Sequence, residues 1–362
     1  MAFSERIASW TTTVEFPGDV TGAIGDSVTV VPVVVALAAL SEVALAPVLV
    51  WFGVAQVVWG ARYGVPVSVE PMKALAALAI AGSLSASGLA AAGLLAGGTL
   101  LVAGATGALG RISRFVGQPV VRGVQLAVAL VLFETALDLA TTDLVLAGVA
   151  IAVAALVAVV SVRTSAIAVV SVGAALALAE TGGISPAIPA FAFALPSPDV
   201  FLDAGTTQAA VGQLAMSIGN AAVATALLLD EYFDSDATAD DLATSMGAMN
   251  LFAVPLGAIP MCHGSGGVAG KYAFGARTAA ANVVLGVLYL LAAVLAVGVV
   301  AAFPVAMLGV VLAAVAAQLA HTSLDTDQYA LTLGVGVVGL LAGVGVAFVA
   351  GLLADHASRR FA

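Results

Sequence analysis

Two stretches decide how this chain folds: Pro66-Val-Ser-Val-Glu70-Pro71-Met72-Lys73 and, far downstream, Pro260-Met261-Cys262-His263-Gly264-Ser265-Gly266-Gly267. Each breaks an apolar sequence with Pro, Gly and ionisable residues, and each leads into a short segment, near 71–84 and 264–277. A hydrocarbon core of about 30 Å takes roughly 20 apolar residues per helix, so neither segment spans. Val67 to Glu70 alternate and are partly β-branched, which predicts an extended run to mid-membrane. Pro71 then suits the first helical position, where its missing N–H costs nothing. Residues 256–262 should enter from the opposite side, with the second half-helix starting near Gly264. Two helix N-termini meet head to head in this arrangement, each with about half a positive charge and free N–H donors, the makings of an anion site. Gly264, Gly266 and Gly267 let a ligand touch the backbone directly.

The rest of the chain fits that setting. Of 362 residues, 62% are hydrophobic and 9% charged, against roughly a quarter charged in a soluble domain. A soluble globular protein and a disordered one are both excluded. Aromatics make up only 6%, and 39 residues are Gly, a palette for closely packed transmembrane helices. The net charge of −10 gives nucleic-acid binding no electrostatic basis. Nine of the eleven cationic residues are Arg, the exceptions being Lys73 and Lys271; this acidic, Lys-poor composition fits a halophilic prokaryote. Cys262 is the sole cysteine, so neither a disulfide nor a Cys-based metal cluster is expected, and Cys262-His263 has no evident third ligand. No cofactor is implied. Met1 to Val20 lacks a signal-peptide core.

Runs of spanning or near-spanning length lie near 21–40, 43–60, 86–108, 119–136, 143–161, 164–180, 205–229, 242–258, 279–302 and 304–320, with a further run at 329–353. Arg62, Arg111, Arg114, Arg122, Arg163 and Arg277 fall in loops on one side, with Arg6 and Arg359–Arg360, while the opposite loops carry no Lys or Arg. The positive-inside rule makes that side, and both termini, cytoplasmic. An even number of crossings then requires 329–353 to be two short helices, turning at Gly343 or Gly345. The expectation is an all-α polytopic membrane protein of about fourteen elements, in the plasma membrane of its cell. A cytoplasmic lead-in (1–19) precedes a first seven-helix repeat (20–181), an extracellular connector (182–204), a second repeat (205–354) and a cytoplasmic tail (355–362). Seven elements per half forces opposite orientations, an inverted repeat. Its third and tenth elements are the half-helices, and such interrupted segments at matching places are where transporters bind substrate.

Ionisable residues at membrane depth are costly unless paired or functional. Glu70 and Lys73 read either as a structural pair bracing the broken helix or as site groups, and His263 either as a helix cap or as a ligand contact. Lys271 and Arg277, further along, read as snorkelling anchors or an exit funnel. Gln213, Ser217 and Asn220 recur at i, i+4 and i+7 and share one helix face; the stripe either lines a cavity or binds neighbouring helices. Asp26, with Thr29 one turn on, poses the same choice. The acidic run Asp230, Glu231, Asp234, Asp236, Asp240, Asp241 reads as a solvated loop.

The stretches Gly25-Asp26-x-x-Thr29-x-x-Pro32, Glu70-Pro71-Met72-Lys73-Ala74 and Pro260 to Gly267, continuing through Ala269-Gly270-Lys271-Tyr272-x-Phe274-Gly275-Ala276-Arg277-Thr278, resemble the molybdate transporter family, related to the sulfate permeases. The resemblance implies the inverted-repeat fold shared with uracil and anion permeases, divided into core and gate domains, and an oxyanion substrate, molybdate first, with tungstate and sulfate close behind. It departs at Glu70, where that family usually has Gln, and after Gln213-Leu, where a proline is missing. On this reading the anion is held by Glu70, Met72, Lys73, Gln213, Ser217, Asn220, His263, Gly264, Ser265, Gly266 and Gly267. Protons are the coupling ion, with Glu70, His263 and Asp26 as candidate carriers, and a homodimer is compatible. A nucleobase or other anion permease of the same fold, or an uncoupled anion channel, is the alternative. Nothing in the sequence supports an enzyme: no catalytic triad, metal-ligand cluster or nucleotide loop is present.

Overall fold

The protein is described by a computed structural model covering residues 16–361. Residues 1–15 of the lead-in, Arg6 among them, and the side chains of Thr29, Arg163 and Arg360 lie outside the described residues, while 16–19 already belong to the first helix.

The apolar runs become helices: α1 (Phe16–Leu40), α2 (Leu45–Tyr63), α3 (Lys73–Ile80), α4 (Ala86–Ala105), α5 (Gln118–Ala140), α6 (Leu144–Ala158), α7 (Val162–Thr181), α8 (Ala204–Phe233), α9 (Ala239–Ala253), α10 (Ser265–Ala273), α11 (Ala280–Leu295), α12 (Val305–Ser323), α13 (Tyr329–Ala342) and α14 (Val344–Phe361). Among the described residues, six helices are individually long and apolar enough to cross a membrane. The run at 329–353 does divide, at Gly343, whose φ of 95° ends α13 and which a side chain would strain. The run at 279–302 also divides, after Leu295.

Helix starts follow local chemistry. The Ser85, Asp143 and Asp203 side chains accept first-turn N–H bonds of α4, α6 and α8, and α9 opens on a capping box between Thr238 and Asp241. Small residues set the packing. Gly22 and Gly25 of α1 lie against α10 and the turn that follows it: a Cβ on Gly22 would stand 2.8 Å from the Lys271 carbonyl oxygen and 2.7 Å from the Ala276 nitrogen. Helix α2 packs on α11, α4 on α9 and α8 on α3; α5 packs on α12, α13 and α14, and α12 on α6 and α7.

Between these helices run the two unwound stretches. Glu70–Pro71 (β1) and Met261–Cys262 (β2) pair antiparallel, Glu70 opposite Cys262 and Pro71 opposite Met261. Hydrocarbon offers no hydrogen bonds, so backbone that leaves a helix at membrane depth is satisfied by other parts of the protein. Met72 N–H donates to the Pro260 carbonyl at 2.8 Å. Asn250 of α9 clamps Met261, its Oδ1 accepting from Met261 N–H (2.7 Å) and its Nδ2 donating to the Met261 carbonyl (2.6 Å). The strand pairing explains one departure from expectation: Pro71 is held extended by Met261, so the helix begins two residues later, with Met72 as its N-cap.

Candidate functional site

Helices α3 and α10 begin on Met72 and Gly264 respectively, and neither N-cap residue supplies a side-chain cap. A helix leaves its first-turn N–H groups without intrahelical acceptors, and its dipole adds partial positive charge there. Helix α8 faces both starts. Gln213 Oε1 accepts from Ala74 N–H of α3 at 3.0 Å, Gln213 Nε2 donates to Ser217 Oγ at 3.0 Å, and Ser265 Oγ at the head of α10 donates to Asn220 Oδ1 at 2.6 Å. The polar stripe therefore bridges the two half-helices. Over Ser217–Ala224 the helix widens to π geometry, a feature that recurs at functional sites and that periodicity alone did not predict. Gly266 is exposed, with no heavy atom within 4 Å of the place a Cβ would take. It marks the open side of the seat, next to Ser265 at the head of α10; Lys73, in the first turn of α3, is partly exposed too.

Glu70 sits at the edge of this seat. Its Oε2 lies 2.6 Å from Lys73 Nζ, and the carboxyl packs so tightly on Gly264 that a Cβ there would overlap it. Oε1 is buried without a hydrogen-bond partner, which is costly and points to a ligand, water or proton at that oxygen. Met72 adds its backbone to the junction while its side chain is in the apolar core.

Behind the seat lies a second charged group. Asp26 Oδ1 accepts from Ser68 Oγ at 2.5 Å, and Oδ2 accepts from Gln56 Nε2 at 2.9 Å and lies 3.3 Å from Lys271 Nζ. Lys271 also donates to the Val67 carbonyl (2.6 Å), Gln56 Oε1 (3.0 Å) and Asn282 Oδ1 (3.2 Å). This corrects the expectation of a snorkelling anchor or exit funnel: Lys271 is fully buried. The close α1–α10 seam aims its side chain inward, and a buried cation needs just such a set of acceptors. Arg277 does lie towards the surface, its guanidinium 4.0 Å over the Tyr272 ring.

His263 is buried and caps neither half-helix. Its Nδ1 lies 2.9 Å from the Ser68 carbonyl and its Nε2 2.7 Å from Ser245 Oγ. Trp59 and Tyr63 flank the ring edge-on, with centroids 6.3 and 5.9 Å away. Gln56, Ser68, Ser245, Asn250 and Asn282 were not singled out from the sequence. Each is a polar residue in or beside an apolar run, and that alone was the available signal. Among the described residues no three His, Cys, Asp or Glu side chains gather as a metal site.

A many-helix membrane bundle with two half-helices abutting through paired unwound strands, and polar groups converging on their N-termini, defines a membrane transporter. Solved structures agree on the fold. The transmembrane domain of the cyanobacterial bicarbonate transporter BicA matches with a TM-score of 0.69 at 18% identity, covering 92% of this chain and 97% of that one. The murine Slc26a9 anion transporter in its inward-facing state matches with a TM-score of 0.73 at 14% identity, covering 98% and 70%. The sequence profile described as "Molybdate transporter of MFS superfamily" matches residues 18–132 and 205–319. "Molybdate transporter 2" of Arabidopsis thaliana is 31% identical over 370 residues, covering 86% of this chain and 79% of its own length. "Molybdate transporter 1" of the same plant is 28% identical, covering 92% and 86%. The chain belongs to the molybdate transporter family.

Proposed function

We propose that this protein imports molybdate, or a similar tetrahedral oxyanion such as tungstate or sulfate, together with protons and by alternating access. The carrying observation is the pair of half-helix starts, neither capped by its own N-cap side chain, joined by Gln213, Ser217 and Asn220, with Lys73 in the first turn of one and the open Gly266 in the other. A dianion there takes backbone N–H donors, the two helix dipoles and the Lys73 ammonium. Glu70 holds that ammonium in this structure, so an arriving dianion competes with a carboxylate for the same cation. A proton on Glu70 removes the repulsion and frees Lys73, which links proton and anion binding.

The fold favours an inverted repeat of seven elements each. Exchanging the halves maps the packing of α1 on α10 onto that of α8 on α3, and α2 on α11 onto α9 on α4. The α1–α4 and α8–α11 group makes a core carrying the seat, and α5–α7 with α12–α14 makes a gate against which it moves. The family profile falling in one stretch per half supports the same reading. On the positive-inside rule the end bearing Arg62, Arg111 and Arg114 is cytoplasmic.

Calorimetry on the purified protein tests the substrate. Molybdate should bind, sulfate should compete weakly and uracil not at all, and Lys73→Ala should abolish binding. Uracil binding without molybdate binding would replace the substrate with a nucleobase. In proteoliposomes, uptake by the native chain should rise as the external pH falls, and Glu70→Gln should flatten that dependence; a retained slope would remove Glu70 from coupling.

A further inference from the structure

We propose that Tyr63 and Ser245 form a hydroxyl relay through which His263 exchanges its proton with an acidic pocket at the arginine-bearing end of the molecule. The chain of contacts is continuous. His263 Nε2 lies 2.7 Å from Ser245 Oγ, Ser245 Oγ lies 2.8 Å from Tyr63 Oη, and Tyr63 lines a pocket of about 280 Å³ with Arg62, Asp234, Asp236 and Asp241. The other imidazole nitrogen settles the polarity. Nδ1 faces the Ser68 carbonyl at 2.9 Å and must donate to it. In the neutral ring Nε2 is therefore the acceptor, Ser245 donates to it, and Tyr63 donates to Ser245.

Each hydroxyl also has a second acceptor. Ser245 Oγ lies 2.9 Å from the Leu242 carbonyl, and Tyr63 Oη lies 3.0 Å from the Asp241 carbonyl. When Nε2 carries a proton it donates to Ser245 Oγ, Ser245 turns to Leu242 and Tyr63 turns to Asp241. No buried donor is orphaned in either state, so the chain reverses without the cost of an unmade hydrogen bond.

Protonation runs as one balanced shift. Ser245 passes its hydroxyl proton to Nε2, Tyr63 passes its proton to Ser245 Oγ, and a hydronium ion in the pocket restores Tyr63, leaving water. Deprotonation is the reverse. The charged groups acting on the path are Glu70 from β1 and Lys271 from α10 at the ring, with Arg62 and Asp241 at Tyr63. The pocket carboxylates concentrate protons at its mouth. Resting on the proton-coupled reading above, the relay makes the charge beside the anion seat follow the pH of the pocket's compartment.

The test needs no substrate. In nanodiscs holding the full chain, infrared bands of the imidazole, assigned by their loss in His263→Gln, are followed after a jump from neutral to acidic pH. Tyr63→Phe and Ser245→Ala should slow the appearance of imidazolium roughly tenfold or more, and Ser245→Thr, which keeps a hydroxyl, should restore the native rate. Native relaxation in both Tyr63→Phe and Ser245→Ala, or no imidazolium in the native chain at any pH the fold survives, would overturn the relay. Failure of molybdate to bind would leave these rates unchanged and would count only against the substrate.

Discussion

Replacing Lys271 by Met keeps the bulk of the side chain and removes its charge, and it should be among the most damaging single changes in the molecule. The loss falls unevenly. Asn282 Nδ2 still donates to the Val67 carbonyl at 2.7 Å and to Gln56 Oε1 at 2.8 Å, so those acceptors keep a partner. Asp26 keeps Ser68 and Gln56. What disappears is the cation 3.3 Å from a fully buried carboxylate, together with the donor 3.2 Å from Asn282 Oδ1. With an effective dielectric of about 20 that attraction is roughly 5 kcal/mol, and breaking a buried pair from one side costs about 3–5 kcal/mol. Asp26→Asn should cost less, because Lys271 retains three uncharged acceptors. The double variant should recover part of the loss, with a coupling of about 2–3 kcal/mol. The assay is unfolding in mixed micelles by titration with a denaturing detergent, run on the native chain, both single variants and the double. A Lys271→Met cost below about 1 kcal/mol, or a double variant as poor as the sum of the singles, would refute the argument.

Two glycines in one turn of α10 should part ways. Gly266→Ala meets empty space and should leave stability unchanged or raise it by up to about 1 kcal/mol, yet weaken molybdate binding, because the new methyl enters the seat. Gly267→Ala overlaps Ser68, Asp26 and Glu70 and should cost about 1–3 kcal/mol; paired thermal melts and calorimetry separate the two effects. At the N-terminus of α9, the Thr238 side chain, then the Thr238 backbone and Arg62, hold the Asp241 carboxyl below the usual carboxylate range. A depressed folded value means the cap's contribution is complete above about pH 4 and fades as pH falls through that lower value. Asp241→Asn should therefore lower the melting temperature at neutral pH, and the gap to the native chain should close in acid. A gap of constant size across that range would show that the carboxylate charge is not what the cap uses.

Much of this architecture was legible residue by residue. Hydropathy marked the spans, because a bilayer tolerates no unsatisfied backbone and few charges. Proline and glycine marked the half-helices, because their backbone limits act locally whatever surrounds them, and the spacing of Gln213, Ser217 and Asn220 marked a face that does meet both half-helix starts. The register of α3 moved by two residues because strand pairing with Met261 held Pro71 extended, a contact made across some 190 positions of chain.

What the amino-acid sequence determined alone is the class of fold, the place of the two breaks and the chemistry gathered around them, since all three follow from the covalent chain and the solvent it must suit. The partners were decided only by tertiary structure. Lys271 turns inward to Asp26, Gln56 and Asn282 because the α1–α10 seam closes over glycine, and His263 turns to Ser245 because α9 passes behind it. Composition says that a buried charge needs a partner; the rotation of a helix about its own axis, set by packing against its neighbours, says which one it meets.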